Sequence, residues 1–205
     1  MQNDDPLLTG ARKRRTARVD QVLNAAADCF VEWGFHGASM SKIAKRAKMS
    51  AGHIYHYFEN KEAIIAAIVD RDSEEAAARF EELKAVPRQE VVAEMIARVE
   101  EMVHTKSDAF QSALNLEILA ECKRNPQIAA IVRKHDEQIR EMFNDIIDDK
   151  LGLPNPDGRA ELLLCMFGGL GMRMLQNPSL DPATLVPMFR YIMQTALSES
   201  PSPDA

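Results

Sequence analysis

Apolar residues recur along this chain at spacings of three and four, and nowhere does a useful length alternate with period two. The pattern predicts an all-α protein of about nine helices. In the first, Val19, Val22, Leu23, Ala26, Ala27 and Phe30 form one stripe, which Gly34 ends as a glycine past a helix C-terminus does. Ser39 is placed to cap a second helix, with Met40, Ile43, Ala44 and Ala47 inward and Ser41, Lys42, Lys45 and Arg46 outward. Ser50 caps a very short third helix and Asn60 a long fourth one, which runs from Lys61 to about Lys84. At 1.5 Å per residue that helix reaches ~35 Å, enough to leave a small N-terminal module and enter a second one.

Further helices are predicted over 87–106, 108–124, 126–151, 159–176 and 185–198. Pro126 opens its helix because proline suits a first turn and not an interior. Pro187 is awkward unless the last helix starts near Thr184. Domain boundaries are expected at 12–62 and 63–198, with 1–11 and 199–205 disordered.

Composition changes this picture little. Of 205 residues 46% are hydrophobic and 27% charged, as in a soluble globular protein. No apolar run reaches the ~18 residues of a membrane span, and the N-terminus lacks a signal-peptide core. Cys29, Cys122 and Cys165 are isolated and odd in number. They read as buried small hydrophobes of a cytoplasmic protein.

Charge changes it more. Residues 1–62 carry ten Lys/Arg against seven Asp/Glu, whereas the remainder carries fifteen against twenty-four. Two basic runs, "RKRRTAR" (Arg12 to Arg18) and "KIAKRAK" (Lys42 to Lys48), stand out in an otherwise acidic chain. A charge run alone is a solvated face, but two of them beside an aromatic helix point to a polyanion.

That aromatic helix is "MSAGHIYHYFENK", residues 49 to 61. On a helical wheel Ala51, Ile54 and Phe58 share the inward side, Gly52, His53, His56 and Tyr57 face outward, and Tyr55 lies on the flank. Behind a basic helix and a tight turn, this is a helix-turn-helix whose second helix enters the major groove of double-stranded DNA. Arg14, Ser39, Ser41, Lys42, Ser50 and Lys61 suit phosphate oxygens, and Gly52 permits close backbone approach.

"FVEWGFHGASMSKIAKRAKMSAGHIYHYFENKEAI" resembles the DNA-binding region of the TetR/AcrR family of transcriptional regulators. Phe30, Gly34, Ser39, Ile43–Ala44, Ala47, Ser50, Gly52, Tyr55, Phe58, Lys61 and Glu62 fall in register. The resemblance implies a helix-turn-helix over about 39–58, a C-terminal helical domain that binds a small-molecule effector, and a homodimer. By position, Tyr55, His56, Tyr57 and Lys61 would contact phosphates, and Ala51, Gly52 and His53 would lie nearest the bases. Lys48 departs from the family at a turn position usually held by glycine, at a cost of ~1 kcal/mol if its φ is positive. Further on, "LNLEILAECKRNPQIAAIV" is similar to the regulatory domain of the family's BetI-like branch.

In this family the later helices surround a pocket, and eight of eleven methionines lie beyond residue 90. Met95, Met102, Met142 and Met166, with Phe110 and Phe167, become candidate lining for an apolar or amphipathic effector, since flexible thioethers accommodate varied shapes. Asn115 and Glu117 are the candidate polar groups, and an inward Glu117 would call for a cationic effector. Helix 159–176 is apolar nearly all round and must be covered on both sides, and the last helix carries a broad stripe. Leu170, Met174, Phe189 and Ile192 are therefore the expected dimer interface.

Other chemistry finds less support. His53 and His56 lack a third ligand at metal spacing, and one "EMVH" is half of what a di-iron bundle needs. Asp145, Asp148 and Asp149 read as a solvated face, and "GGLG" has no preceding strand and reads as a helix-packing surface. No cofactor and no catalytic constellation is predicted. A ligand-responsive repressor on a palindromic operator therefore stands against an adaptor or enzyme whose helix-turn-helix binds no DNA. Steeply salt-dependent duplex binding separates the two.

Overall fold

The computed structural model describes residues 6–198, with side chains from Lys13 onward. All regular structure among the described residues is helical. The ten α-helices are α1 (Pro6–Gly37), α2 (Met40–Arg46), α3 (Ala51–Tyr55), α4 (Lys61–Ala85), α5 (Arg88–Ala97), α6 (Val99–Lys106), α7 (Ala109–Cys122), α8 (Pro126–Asn144), α9 (Pro156–Gln176) and α10 (Val186–Ala196). A π-helical turn, Asp145–Lys150, prolongs α8, and a 3-10 turn, Pro182–Leu185, leads into α10.

Two differences from the sequence pattern have local causes. The single helix expected over 87–106 is two, because the backbone loosens at Arg98 and starts again at Val99. Residues 6–11, expected to be disordered, are the start of α1, while 1–5 and 199–205 lie outside the described residues. Pro187 sits in the first turn of α10, where a missing N–H costs nothing. Among the described residues no helix is long and apolar enough to cross a membrane.

The chain forms two compact units that are not consecutive in sequence: residues up to Val69 with Glu117–Ala129, and Asp70–Leu116 with Ala130 onward. In the first unit the predicted stripe is realised, with Val22, Leu23, Ala26 and Phe30 buried together with Ile43, Ala44, Ala47, Ile54 and Phe58. Each such large apolar side chain contributes about 1.5–3 kcal/mol when withdrawn from water. Gly34 breaks α1 with φ 71 and ψ 167, a conformation open to glycine and costly for other residues.

The second unit has its own apolar core. Val91, Val99, Val103, Ile146, Ile147, Leu163 and Met193 are fully buried, and the rings of Phe167 and Phe189 meet at 5.3 Å. Arg159 is buried at the start of α9, where its guanidinium donates to the carbonyls of Pro154, Ala196 and Ser198. A Cβ on Gly171 would stand 2.8 Å from Ser112 Oγ, so this glycine does permit the close helix packing expected of "GGLG". Gly168 and Gly169 face open space instead. Cys165 is exposed, and only Cys29 of the three thiols is fully buried.

Candidate nucleic-acid interface

Two serine caps and one strained residue set the geometry of the helix-turn-helix. Ser39 Oγ accepts from Lys42 N at 3.3 Å and Ser50 Oγ from His53 N at 3.2 Å, which fixes the first turns of α2 and α3. The Ser39 hydroxyl also meets Ser41 Oγ at 2.9 Å, so these two share a hydrogen bond at the start of α2. Between the helices, Lys48 holds φ 52, the left-handed conformation that glycine adopts more readily. The turn is closed by Met49 N donating to Ala44 O at 2.9 Å and by Gln21 Nε2 donating to Ala47 O at 2.7 Å. Asn60 caps α4 through Ala63 N, at 2.8 Å.

The outward face matches the wheel except at one position. Gly52, His53, Tyr55 and His56 are exposed and Tyr57 is half-buried, while Ile54 and Phe58 are buried. Ala51 is exposed too, contrary to the inward assignment, because it is the first residue of α3 and precedes the turn that meets the core. Its expected place near the bases needs that exposure. Gly52 has nothing within 4 Å of where a Cβ would be, so no part of the protein itself requires a glycine there.

The basic groups divide into free and engaged. Lys13, Arg14, Arg15, Lys45 and Lys48 have exposed side chains. Lys42, also exposed, donates to Gly37 O at 2.8 Å and lies 4.6 Å from the Trp33 ring. Lys61 donates to Phe35 O and stands 4.1 Å over the Phe35 ring, and burial pushes its ammonium below the ordinary lysine range. Arg46 is not a free outward cation, because it pairs with Glu32 and Asp28 of α1.

The remaining predicted residues scatter. Met95 and Phe167, 4% and 5% exposed, are core members of the second unit, with Met102 and Met166 packed against that core. Met142 is half-buried, and Phe110 and Asn115 are exposed. Glu117 is no inward carboxylate awaiting a cation: it belongs to the first unit, where its Oε1 accepts from Phe35 N at 2.6 Å. Leu170 and Phe189 are buried in their own unit and present nothing to a second copy, whereas Met174 and Ile192 are half-exposed. The exposed positions on α9 and α10 include Leu162, Cys165, Gly168, Gly169, Met172, Met188 and Tyr191.

One polar grouping escaped the sequence reading. Ser73 Oγ of α4 lies 2.5 Å from His135 Nδ1 of α8, inside the second unit. Burial pushes the His135 imidazole down and the neighbouring Asp72 carboxyl up. Lys106 touches solvent, yet the protein around it still lowers its pKa. Ser73 and His135 stand 62 positions apart, so no local pattern could have joined them.

Comparison with known proteins agrees with this architecture. Residues 22–68 match the model of bacterial regulatory proteins of the tetR family, and 87–195 match the tetracyclin repressor-like C-terminal domain. The Escherichia coli K12 HTH-type transcriptional regulator UidR is 41% identical over 138 residues, which is 67% of this chain and 66%, just under two thirds, of that protein. The structure of Salmonella enterica GusR is similar with a TM-score of 0.70 at 30% identity, covering 88% of this chain and 95% of that one. Bacillus subtilis FadR in complex with stearoyl-CoA shares the fold, with a TM-score of 0.62 at 21% identity over 88% of this chain and 98% of that one. The first match spans the helix-turn-helix capped by Ser39 and Ser50 and the second covers more than half of the chain, so the chain belongs to the TetR family of bacterial regulatory proteins.

Proposed function

We propose that this chain is a cytoplasmic, homodimeric transcriptional repressor that leaves a near-palindromic DNA operator when a small apolar or amphipathic effector binds. The observation that carries it is the exposed polar-aromatic face of α3, His53, Tyr55 and His56 with Tyr57 at its edge, on a helix that Ser50 caps behind the basic α2. Residues 12–62 then read DNA through a helix-turn-helix over about 39–58, and 63–198 supply effector binding and dimerisation. The role is regulatory, not enzymatic.

Ala51, Gly52 and His53 lie nearest the bases in this reading. Arg14, Ser39, Ser41, Lys42, Ser50, Tyr55, His56, Tyr57 and Lys61 serve phosphates. Two α3 helices, one per subunit, must fit successive major grooves roughly 34–36 Å apart or a little more, which is why the operator is near-palindromic. Met102, Met142, Met166, Phe110 and Asn115 remain the candidate effector contacts. The Ser73–His135 pair adds a fixed polar group on α4 and α8.

An effector that prefers the conformation with the wrong spacing weakens DNA binding by about 1–3 kcal/mol, and DNA weakens effector binding equally. Footprinting on the DNA that flanks its own gene, repeated across salt, tests the reading. A protected palindrome whose affinity falls steeply with salt is expected. Absence of duplex binding at low salt would overturn it.

A further inference from the structure

Both backbone polar groups of Phe35 are held by side chains from distant parts of the first unit. Its N–H donates to Glu117 Oε1 at 2.6 Å, and its carbonyl accepts from Lys61 Nζ. The neighbouring His36 places Nε2 3.1 Å from Oε2 of Glu121, a carboxylate only 1% exposed whose other oxygen takes Arg124 at 2.6 Å. Oε2 is fully enclosed and has no hydrogen bond of good geometry, so His36 is its nearest compensating group. These residues surround the break at Gly34, whose missing Cβ would otherwise stand 3.1 Å from Glu117 Oε1.

The break matters because it aims α2. Gly34 turns the chain out of the α1 axis, Ala38 N closes the turn on Gly34 O at 3.0 Å, and Ser39 immediately caps α2. A charge-assisted hydrogen bond to the Phe35 amide therefore fixes the direction from which α2, and with it α3, departs. Glu117 and Glu121 lie on the last two turns of α7.

We propose that Glu117 and Glu121 are positioning residues for DNA recognition. They latch the Gly34–His36 turn from which α2 departs. The inference rests on the DNA-binding reading above, and it adds to that reading two residues outside the helix-turn-helix. Glu117 thereby acts at the DNA-binding unit and not as an effector ligand.

The test uses the full-length protein, a duplex bearing the footprinted site, and a random duplex of equal length. Glu117→Ala is expected to lose about tenfold in affinity for the site, the worth of one charge-assisted hydrogen bond, with random-duplex affinity unchanged. Glu117→Gln keeps an acceptor oxygen and should recover most of the loss. His36→Ala alters an exposed side chain and supplies a variant that folds if Glu117→Ala does not; it should lose severalfold. Hydrogen exchange should show faster exchange at Phe35 in Glu117→Ala. Equal site affinity in all variants, or a melting-temperature loss with site affinity unmoved, would overturn the latch. A wild type that binds neither duplex overturns the repressor reading instead, and unchanged Phe35 exchange in Glu117→Ala would then overturn the latch as well.

Discussion

The phenol oxygen of Tyr57 lies 3.3 Å from Nε2 of His53, one helical turn away, and the two rings approach to 5.4 Å between centroids. His53 is the proposed base reader and Tyr57 a proposed phosphate contact, so the pair joins the two kinds of recognition. His53→Ala should alter base preference at one operator position in each half-site, and Tyr57→Phe should relax the same position by freeing the imidazole. Because the residues touch, the double variant should fall short of the summed single effects by about 0.5–1 kcal/mol. Operator-variant binding curves measure this, and strict additivity would separate the two roles.

Lys61 combines an electrostatic role with a structural one. Its ammonium serves the Phe35 carbonyl and ring in the free protein, so a phosphate must compete for it or share it. Lys61→Ala should weaken binding to all duplexes alike and reduce the salt slope by about one phosphate. The melting temperature should fall as well, because the Phe35 carbonyl loses its partner. A lower melting temperature with an unchanged salt slope would make Lys61 a strut and nothing more.

Lys48 offers a substitution whose two effects have opposite signs. With φ at 52 it carries a left-handed strain that glycine does not, so Lys48→Gly should stabilise the protein by about 1 kcal/mol. The same change removes an exposed cation beside α3 and should weaken duplex binding. Chemical denaturation and a salt titration read the two effects separately. Lower stability on substitution would show that the lysine stem, and not the backbone, decides the turn.

What could be read from the sequence was local. Ser39, Ser50 and Asn60 are caps because a side-chain oxygen meets an amide two or three residues on, and all three bonds form. Gly34 and the stripe from Val19 to Phe30 are equally short-range. Leu170 and Phe189 went astray for the complementary reason: α9 is apolar nearly all round, and periodicity cannot say which side meets its own core. Glu117 and Glu121 look like ordinary acids of a surface helix until α7 is seen to end against the turn after α1. Contacts across 82 residues leave no mark on spacing.

His135 gives stability a pH dependence with a definite sign. Burial lowers its pKa below the ordinary 6.5, with Lys106 pushing the same way and Asp72, Asp136 and Asp70 opposing. The folded chain thus favours neutral imidazole. The stabilisation is complete above the ordinary value and is lost as pH falls from about 6.5 through the folded pKa. Asp72 acts with the opposite sign: its raised pKa makes stability decline as pH rises from 3.8 through the folded value. Melting curves between about pH 5 and 8 should therefore fall on the acid side for the wild type, and His135→Gln, which can still bond Ser73, should flatten them. An equal acid slope in the variant would place the titrating group elsewhere.

The surface that a second copy would cover is set by which side of α9 remains exposed. Leu162, Cys165, Gly169 and Met172 recur at helical spacing along one side, and Met188 and Tyr191 are the exposed apolar residues of α10, at 56% and 65%. Gly168 and Gly169 have open space where a side chain would go, which lets another helix approach closely. A two-fold interface meets itself, so each substitution there acts twice per dimer. Met172→Glu with Tyr191→Glu should convert a micromolar dimer to a folded monomer in sedimentation, and should abolish tight operator binding because two half-sites must be held together. Leu170→Glu, by contrast, puts a charge into a position 3% exposed and should cost the folded state itself. A double variant that sediments as a dimer would remove this face from the interface, and a wild type that is monomeric at micromolar concentration would remove the dimer.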